Sequence, residues 1–423
     1  MPDDLAVWLH GDHVATVVQV RGRPRLSYTE AALGKYPLGL PLLSLALPLT
    51  PQPYTPGVAG PFLDGLLPEG DARRTIADDL NVKASDTYGL IRALGRDCAG
   101  ALVIQPSDEP APPPPSTITA EPLTDDEIAE LVANLRSAPL GVGGRVRVSL
   151  AGVQEKLLLT KMPDGGWGRP VDGTPSTHIL KPSITRYPHT VPNEVFAMRV
   201  AKYFGLSGAN VETVSVNGRD LIVVERFDRI VHPDGTVERL HQEDFCQATG
   251  MPPSKKYQED GGPSLKQIAR ILRENGTSES PEALLRAVIL NVLVGNGDAH
   301  AKNFSILHHP VGTLRLTPIY DVMSTLQYGD DRLAMYIDNV HRTNRVTGDR
   351  IVNEAVSWGI PRSRAIAIVA DMIERAPSAI DAAEDETIEL PLEIGKLGRS
   401  QLRLLRSEFD TANSADENRG GPT

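Results

Sequence analysis

Apolar residues recur at helical spacing between positions 280 and 295 of the chain. Ser280 can cap such a helix, Pro281 can occupy its first position, and Gly295 can end it. The apolar side chains would form one stripe along it, made of Leu284, Leu285, Val288, Ile289, Val292 and Leu293. The pattern therefore predicts an amphipathic helix that ends at Gly295.

Other apolar runs have the two-residue period or the short length of β-strands. Residues 1–20 alternate in this way, and further runs lie at 145–150, 156–160, 178–181, 221–224, 304–307 and 314–319. A second amphipathic helix is predicted over 193–205, where Phe196, Val200 and Phe204 are four residues apart and a glycine follows. The mixture of helices and strands predicts an α+β fold.

Three polar residues follow the helix predicted at 280–295. Asp298 lies in a loop, Asn303 comes five residues later, and Asp321 follows the last two strand-like runs, which would form a hairpin. Transfer of a phosphoryl group needs a carboxylate near the acceptor hydroxyl, and it needs oxygen ligands that hold Mg²⁺ against the phosphates. Asp298 suits the first role, and Asn303 and Asp321 suit the second. This order is typical of ATP-dependent kinases.

An aspartate and an asparagine at this spacing also occur in ordinary capped loops, so the residues upstream decide between the two interpretations. The turn at 151–154 could cover phosphates with its backbone N–H groups. Lys181 ends an apolar strand, like the lysine that contacts nucleotide phosphates in kinases. The segment 225–228 falls where a hinge between two lobes is expected. These features occur in kinase order.

Glu194 has two interpretations. It could pair with Lys181, as an acidic residue does in kinases, or it could be a first-turn acid that the helix dipole favours. The sequence leaves both open.

Several segments together resemble the HipA family of bacterial serine/threonine kinases, which are the toxins of toxin–antitoxin pairs. They are SLAGVQEK at 149–156, ERFDR at 225–229, QEDFCQATG at 242–250, KY at 256–257, GGPS at 261–264 and GDAHAKNFS at 297–305. The stretches LPLTPQPYTPG, FLDGLLPEG and YGLIRALGRDCAGAL extend the resemblance over nearly the whole chain. It implies a two-lobed, protein-kinase-like α+β fold, similar to phosphoinositide kinases, with an N-terminal α+β subdomain.

The resemblance also implies roles for single residues. Asp298 would be the catalytic residue, and Ser149 would be the serine on which these kinases phosphorylate themselves. Asn303 and Asp321 would bind Mg²⁺. The residues that bind ATP would be Ala151, Gly152, Val153, Gln154, Glu155, Lys156, Lys181, Glu225, Arg226, Phe227, His300, Ala301, Lys302, Asn303, Tyr320 and Asp321.

The implied partner is a small helix-turn-helix antitoxin, similar to HipB, that binds operator DNA and carries the kinase with it. The implied substrate is a translation component such as an aminoacyl-tRNA synthetase. The net charge of −11 argues against direct binding of DNA, because a phosphate backbone requires clustered basic residues.

Two other classes of function remain open. One is a lipid or small-molecule kinase, suggested by the order of Asp298 and His300, and the other is a nucleotide-binding corepressor without kinase activity.

A proline-rich stretch, APPPPSTITAEP at 111–122, predicts a boundary, and Thr124 with Glu127 predicts that a capped helix follows it. The expected divisions are an N-terminal subdomain at 1–105, a linker at 106–123, a kinase N-lobe with the phosphate loop and ATP lysine at 124–230, a mostly helical C-lobe with the catalytic loop at 231–410, and a disordered tail at 411–423.

The N-terminus and the cysteines bear on location. The first residues are acidic, unlike a signal peptide, and the apolar run at 38–49 is short and broken by prolines. Cys98 and Cys246 are the two cysteines, and we expect both to be reduced and buried. The sequence therefore predicts a cytoplasmic protein without a membrane partner.

Overall fold

The computed structural model describes residues 4–112, 116–141, 148–152, 154–308 and 312–417, with the backbone alone for 116–117, 408 and 410–417. The helices are α1 (Glu30–Lys35), α2 (Pro56–Gly65), α3 (Gly70–Asp79), α4 (Thr87–Leu94), α5 (Asp125–Ala133), α6 (Thr190–Tyr203), α7 (Phe245–Ala248), α8 (Leu265–Asn275), α9 (Ser280–Val294), α10 (Gly348–Ser357), α11 (Arg362–Glu386) and α12 (Leu392–Glu417).

The strands are β1 (Leu5–Leu9), β2 (Asp12–Val20), β3 (Arg23–Tyr28), β4 (Leu102–Pro106), β5 (Ser116–Thr117), β6 (Ala120–Leu123), β7 (Leu157–Lys161), β8 (Trp167–Pro170), β9 (His178–Pro182), β10 (Val211–Val216), β11 (Arg219–Glu225), β12 (Arg229–Val231), β13 (Thr236–Arg239), β14 (Gln242–Asp244), β15 (Ser305–His308), β16 (Leu314–Leu316), β17 (Arg332–Ile337) and β18 (Val340–Arg342). The chain divides into unit 1, which is Met1–Ile184, Asn210–Lys255 and Ser305–Gly312, and unit 2, which is Thr185–Ala209, Lys256–Phe304 and Thr313–Thr423.

The N-terminal part of unit 1 is built on an antiparallel sheet in the order β3-β2-β1-β4. Leu5, Val7 and Leu9 alternate along β1 and are buried in one apolar cluster with Phe62 of α2 and Ile91 of α4. Residues two apart on a strand face the same side, so the period-two pattern at the N-terminus produces this core. The strand-like alternation predicted at the N-terminus is confirmed, and a turn at His10 and Gly11 divides it into β1 and β2.

The second large sheet of unit 1 has the order β10-β11-β9-β7-β8-β6. Helix α5 packs Ile128 and Val132 against its apolar residues, among them Leu157 of β7 and Leu180 of β9. The predicted capping box begins α5, because the Glu127 backbone N–H donates to the Thr124 hydroxyl oxygen and the Thr124 backbone N–H donates to the Glu127 carboxylate. The strands predicted at 156–160, 178–181 and 221–224 are confirmed as β7, β9 and part of β11.

The strand predicted at 145–150 is only partly within the described residues. There, Val148 makes one isolated bridge to Asp97, and no described strand continues to Leu150. The turn between the strands predicted at 304–307 and 314–319 also includes residues outside the description, although β15 and β16 themselves are present. β16 ends at Leu316, two residues before Pro318, whose nitrogen cannot donate to a ladder.

Helix α9 lies in the interior of unit 2 and is buried on all sides, from Leu284 to Val294, except Arg286. The predicted single stripe is therefore too narrow, because the run AVILNVLV leaves no polar face. The predicted cap is also displaced by one residue. Glu279 is the N-cap, and the Ser280 hydroxyl lies 3.1 Å from the Thr277 hydroxyl. Gly295 ends the helix with φ +72°, as predicted.

Two further boundaries differ from prediction. Helix α6 begins at Thr190, so Glu194 lies in its second turn, and the interpretation of Glu194 as a first-turn acid is wrong. Helix α12 continues to Glu417, whereas disorder was predicted from 411. Residues 411–417 contain no glycine or proline, and the first helix-breaking residue after them is Gly420.

Cys98 and Cys246 are free and buried, as predicted. Among the described residues, no helix combines the length and the apolarity needed to cross a membrane.

A buried histidine in unit 1 makes stability depend on pH. Burial holds the pKa of His241 well below its ordinary value, and neighbouring His308 and His10 act in the same direction, against Asp228. An unfolded chain takes up this proton below about pH 6.5 and the folded chain does not, so the unfolding free energy falls as pH falls from 7 towards 5.

We expect the change His241→Gln to reduce the loss of melting temperature between about pH 7.5 and pH 5.5. Glutamine cannot titrate, and its amide can still donate to the Leu43 carbonyl, which lies 2.9 Å from His241 Nε2. Thermal melts of both proteins at the two pH values test this. An equal loss in both proteins would contradict it.

Candidate active site

Hydrogen bonds of two asparagine side chains hold the loop after α9 against the end of that helix in unit 2. Asn291 Oδ1 accepts a hydrogen bond from Asn296 Nδ2 at 2.7 Å, and Asn296 Oδ1 accepts one from the Asp298 backbone at 3.1 Å. Gly297 donates to the Thr325 hydroxyl at 2.8 Å, and a Cβ at Gly297 would lie 2.1 Å from the Arg332 carbonyl oxygen. Only glycine fits there, so the backbone that presents Asp298 is rigidly determined.

Asp298 is exposed, as a residue that meets a substrate has to be. Its carboxylate Oδ1 accepts a hydrogen bond from the Tyr257 hydroxyl at 2.9 Å. Desolvation by the surrounding protein raises the pKa of Asp298 above its ordinary value, Tyr257 and Lys256 oppose this rise, and Asp321 adds to it. The carboxyl therefore has a stronger affinity for a proton than an ordinary surface aspartate, which suits a general base.

Asn303 and Asp321 line the same small cavity in unit 2, together with Tyr320. Asn303 Nδ2 donates to the Asp298 carbonyl at 3.0 Å, so the amide is held while its Oδ1 accepts no hydrogen bond from any described residue. The charge of Asp321 acts on both Asp298 and His300, which places these groups near one another. A carboxylate and an amide oxygen are hard donors, so the pair fits a divalent cation such as Mg²⁺.

The residues between Asp298 and Asn303 complete the loop. His300 is buried, and desolvation lowers the pKa of its ring to about 3, so the ring is neutral. Its Nδ1 is buried and has no hydrogen-bond partner in the part of the chain that the structure describes. The Ala301 backbone donates to the Lys256 carbonyl, and the Lys302 carbonyl accepts from the Tyr320 hydroxyl at 2.7 Å.

The predicted phosphate loop in unit 1 packs onto the N-terminal subdomain. Gly152 has φ +116°, and its carbonyl accepts a hydrogen bond from the Glu69 backbone at 3.3 Å. Lys156 Nζ donates to the Ala151 carbonyl at 2.8 Å, and Glu155 pairs with Arg136 at 2.9 Å. The loop is thus held by one hydrogen bond within itself and by contacts with residues 69 and 136. Gln154 is half-buried beside them, and Val153 lies outside the described residues.

Ser149 precedes this loop and is completely buried. Its hydroxyl donates to the Leu66 carbonyl at 2.6 Å, and its backbone donates to the Asp97 carbonyl at 2.8 Å. The side chain cannot meet a phosphate donor in this position, so the loop has to move before Ser149 can be modified.

Lys181 is buried on β9, in the centre of the second sheet of unit 1, and lies opposite Ile222 of β11. Glu225 ends β11, and its carboxylate accepts a hydrogen bond from Asn210 at 2.8 Å. Phe227 follows in a half-buried position. The pairing of Lys181 with Glu194 would join unit 1 to unit 2 and stays a prediction.

Arg226, which is predicted to help hold the adenine, has its side chain in a buried ion-pair network. The guanidinium is buried and bonds to Asp228 at 2.9 Å and to the Cys98 carbonyl at 3.0 Å. Asp97 also pairs with Arg229 at 2.8 Å. These charges form a network between residues 97–100 and 226–229, so the ERFDR segment supplies structural ion pairs. Contact of its backbone with a base stays a prediction.

The sequence patterns assign no role to Tyr257, Lys256, Asn296 or Asp97. Tyr257, Lys256 and the charged residues of ERFDR do stand in segments that carry the family resemblance, and a buried charged side chain needs a partner of opposite charge. The partners cannot be read from spacing, because Tyr257 is 41 residues from Asp298 and Asp97 is 132 residues from Arg229.

Comparison with known proteins agrees with this geometry. Residues 5–105 match the family model of the HipA N-terminal domain, and residues 148–380 match that of the HipA-like C-terminal domain. The chain is 38% identical over 403 residues to the kinase-like protein Y4mE of Sinorhizobium fredii. The aligned region covers 93% of this chain and 94% of that protein.

It is 34% identical over 336 residues to the serine/threonine-protein kinase toxin HipA of Shewanella oneidensis, covering 75% of this chain and 76% of the toxin. It also matches the HipA structure from the Shewanella oneidensis complex of HipA, HipB and operator DNA. That match has a TM-score of 0.81 and 28% identity, and it covers 99% of this chain and 100% of the other. The predicted kinase-like α+β fold is confirmed, and the chain belongs to the HipA family of serine/threonine protein kinases.

Proposed function

We propose that this kinase transfers the γ-phosphoryl group of ATP to a serine or threonine of a translation protein such as an aminoacyl-tRNA synthetase. The observation that carries the catalytic part is that Asn303 and Asp321 line one cavity of unit 2 and that the Asn303 amide donates to the Asp298 carbonyl at 3.0 Å. Asp298 orients the acceptor hydroxyl and accepts its proton as the bond to phosphorus forms.

Asn303 and Asp321 would hold Mg²⁺, which neutralises charge that develops on the phosphates. Their fit rests on the immobilised amide of Asn303 and on the nearby carboxylate of Asp321. Asp321 has φ +58°, a backbone conformation that aspartate and asparagine adopt more readily than other side chains with a Cβ. Lys181 would bind the α- and β-phosphates as a point charge, and the loop 151–156 would cover them.

We further propose that the chain is the toxin of a toxin–antitoxin pair, with a small helix-turn-helix protein as its antitoxin. Support comes from the relative in Shewanella oneidensis, which is named a toxin and was solved with HipB and operator DNA. The net charge of −11 disfavours independent contact with DNA, so the kinase would reach an operator through the antitoxin and act with it as a corepressor.

The experiment is induced expression of the chain in a bacterial host, followed by growth measurement and quantitative phosphoproteomics. We expect growth arrest and one dominant new phosphoserine or phosphothreonine site on a translation protein, both absent with the Asp298→Asn variant. Co-expression of the small helix-turn-helix antitoxin proposed as its partner should relieve the arrest. Arrest that persists with the inactive variant, or an unchanged phosphoproteome, would contradict the proposal.

A further inference from the structure

Tyr257 is attached to the catalytic loop through its side chain and its neighbour. Its hydroxyl donates to Asp298 Oδ1 at 2.9 Å, and the carbonyl of Lys256 accepts a hydrogen bond from the Ala301 backbone at 3.2 Å. The aromatic ring also meets the His300 ring edge-on, with the centroids 5.4 Å apart. Three contacts thus connect the KY dipeptide to Asp298, His300 and Ala301 of the loop.

The backbone of Tyr257 is fixed by a tight turn. Its carbonyl accepts hydrogen bonds from the backbones of Asp260 at 3.1 Å and Gly262 at 3.0 Å. Gly261 closes the turn with φ +83°, a conformation that favours glycine. Ser264 then caps α8 with a capping box. The conformation of this segment is therefore determined locally, which allows Tyr257 to act as a rigid support.

We propose that Tyr257 is the positioning residue of Asp298, an inference that rests on the proposed catalytic role of Asp298. An aspartate carboxylate rotates about two side-chain bonds, and only a small part of that range suits an acceptor hydroxyl. The phenol occupies Oδ1 and thereby leaves Oδ2 for the acceptor hydroxyl. Holding a catalytic group in its reactive geometry raises the rate of the chemical step without strengthening the binding of ATP.

The role is separable from fold stability. The backbone of Asp298 is held independently, by Asn296 and by Asn303. Tyr257 is only half-buried, and loss of its hydroxyl leaves the ring contact with His300 in place. The change Tyr257→Phe therefore removes the hydroxyl that donates to Asp298 and keeps the aromatic ring.

The test measures the initial rate at which label from γ-labelled ATP with Mg²⁺ enters the purified full chain itself. Because each chain gains one phosphate, kcat here is the first-order rate constant of labelling at saturating ATP, and KM is the ATP concentration that gives half of it. We expect Tyr257→Phe to lower kcat by about tenfold to a hundredfold, the range that loss of a hydrogen bond to a charged group implies. The KM for ATP and the melting temperature should stay at wild-type values. The matched control is Tyr336→Phe, whose hydroxyl has no hydrogen-bond partner among the described residues and which should keep the wild-type kcat.

A wild-type kcat for Tyr257→Phe, with Asp298→Asn inactive, would overturn the inference and leave the proposed function standing. A joint loss of kcat, ATP binding and melting temperature would also overturn it, because it would indicate a structural role. Wild-type activity of Asp298→Asn would instead remove the proposed function on which the inference depends.

Discussion

The variant Asp298→Asn should lose between about a hundredfold and ten-thousandfold of its phosphotransfer rate while it still binds ATP. The range is the usual contribution of a general base. Asparagine has nearly the same shape, and its amide oxygen can still accept the hydrogen bond that Tyr257 donates to Oδ1 in the wild type. The loss therefore falls on the transition state, where the carboxylate accepts the acceptor proton, rather than on the ground state.

Initial rates with γ-labelled ATP, calorimetric titration of ATP and thermal melts together test this prediction. Asp330→Asn is a matched control, because Asp330 lies close enough to act on the pKa of Asp298 and pairs with Arg332 at the surface. The control should keep the wild-type rate. Turnover by Asp298→Asn at the wild-type rate would exclude Asp298 as the base.

The second large effect concerns Ser149. Wild-type protein incubated with Mg-ATP should gain one phosphate at Ser149 and then lose most of its affinity for nucleotide. The serine hydroxyl is completely buried and donates to the Leu66 carbonyl at 2.6 Å. A phosphate adds about −1.5 to −2 charges and three acceptor oxygens, which cannot replace a donor beside a carbonyl oxygen. The modified loop should therefore leave its position against the N-terminal subdomain.

Ser149→Ala should stay folded, bind ATP and escape this inactivation. Its melting temperature should fall slightly, because a buried carbonyl loses its partner at a cost of about 1 kcal/mol. Intact-mass and peptide analysis during incubation, alongside ATP titration, decide the outcome, with Asp298→Asn as the variant that should gain no phosphate. Phosphorylation elsewhere with Ser149 unmodified, or full nucleotide affinity after modification, would show that Ser149 is not the switch.

The sequence pattern predicts those helices and strands that depend on residues close together in the chain. Period-two alternation predicted β1 and β2, the capping pair at 124 and 127 predicted the start of α5, and a glycine predicted the end of α9. Of the three residues Asp298, Asn303 and Asp321, the last two line one cavity of unit 2, because the loop and the chain near Asp321 both follow α9 closely in sequence. Their roles in catalysis stay predictions.

The remaining features depend on partners far away in the chain. The buried guanidinium of Arg226 requires a counter-charge, and Asp97 supplies one across 129 residues. Ser149 binds a carbonyl 83 residues away, and Tyr257 binds a carboxylate 41 residues away. Side-chain pairing at such separations follows from packing, and packing leaves no period in the sequence. The starts of α6 and α9 differ from prediction because neither helix begins with a side-chain capping hydrogen bond, the local signal by which a start is recognised.

Transfer of label from γ-labelled ATP with Mg²⁺ by the purified chain, followed by phosphoamino-acid analysis of the labelled protein, tests the central claim most directly. We predict phosphoserine or phosphothreonine on protein with the wild type, and labelling at least about a hundredfold slower with Asp298→Asn under the same conditions. Folded wild-type chain that binds ATP but transfers no label to protein, or that labels only lipids or small molecules, would contradict it.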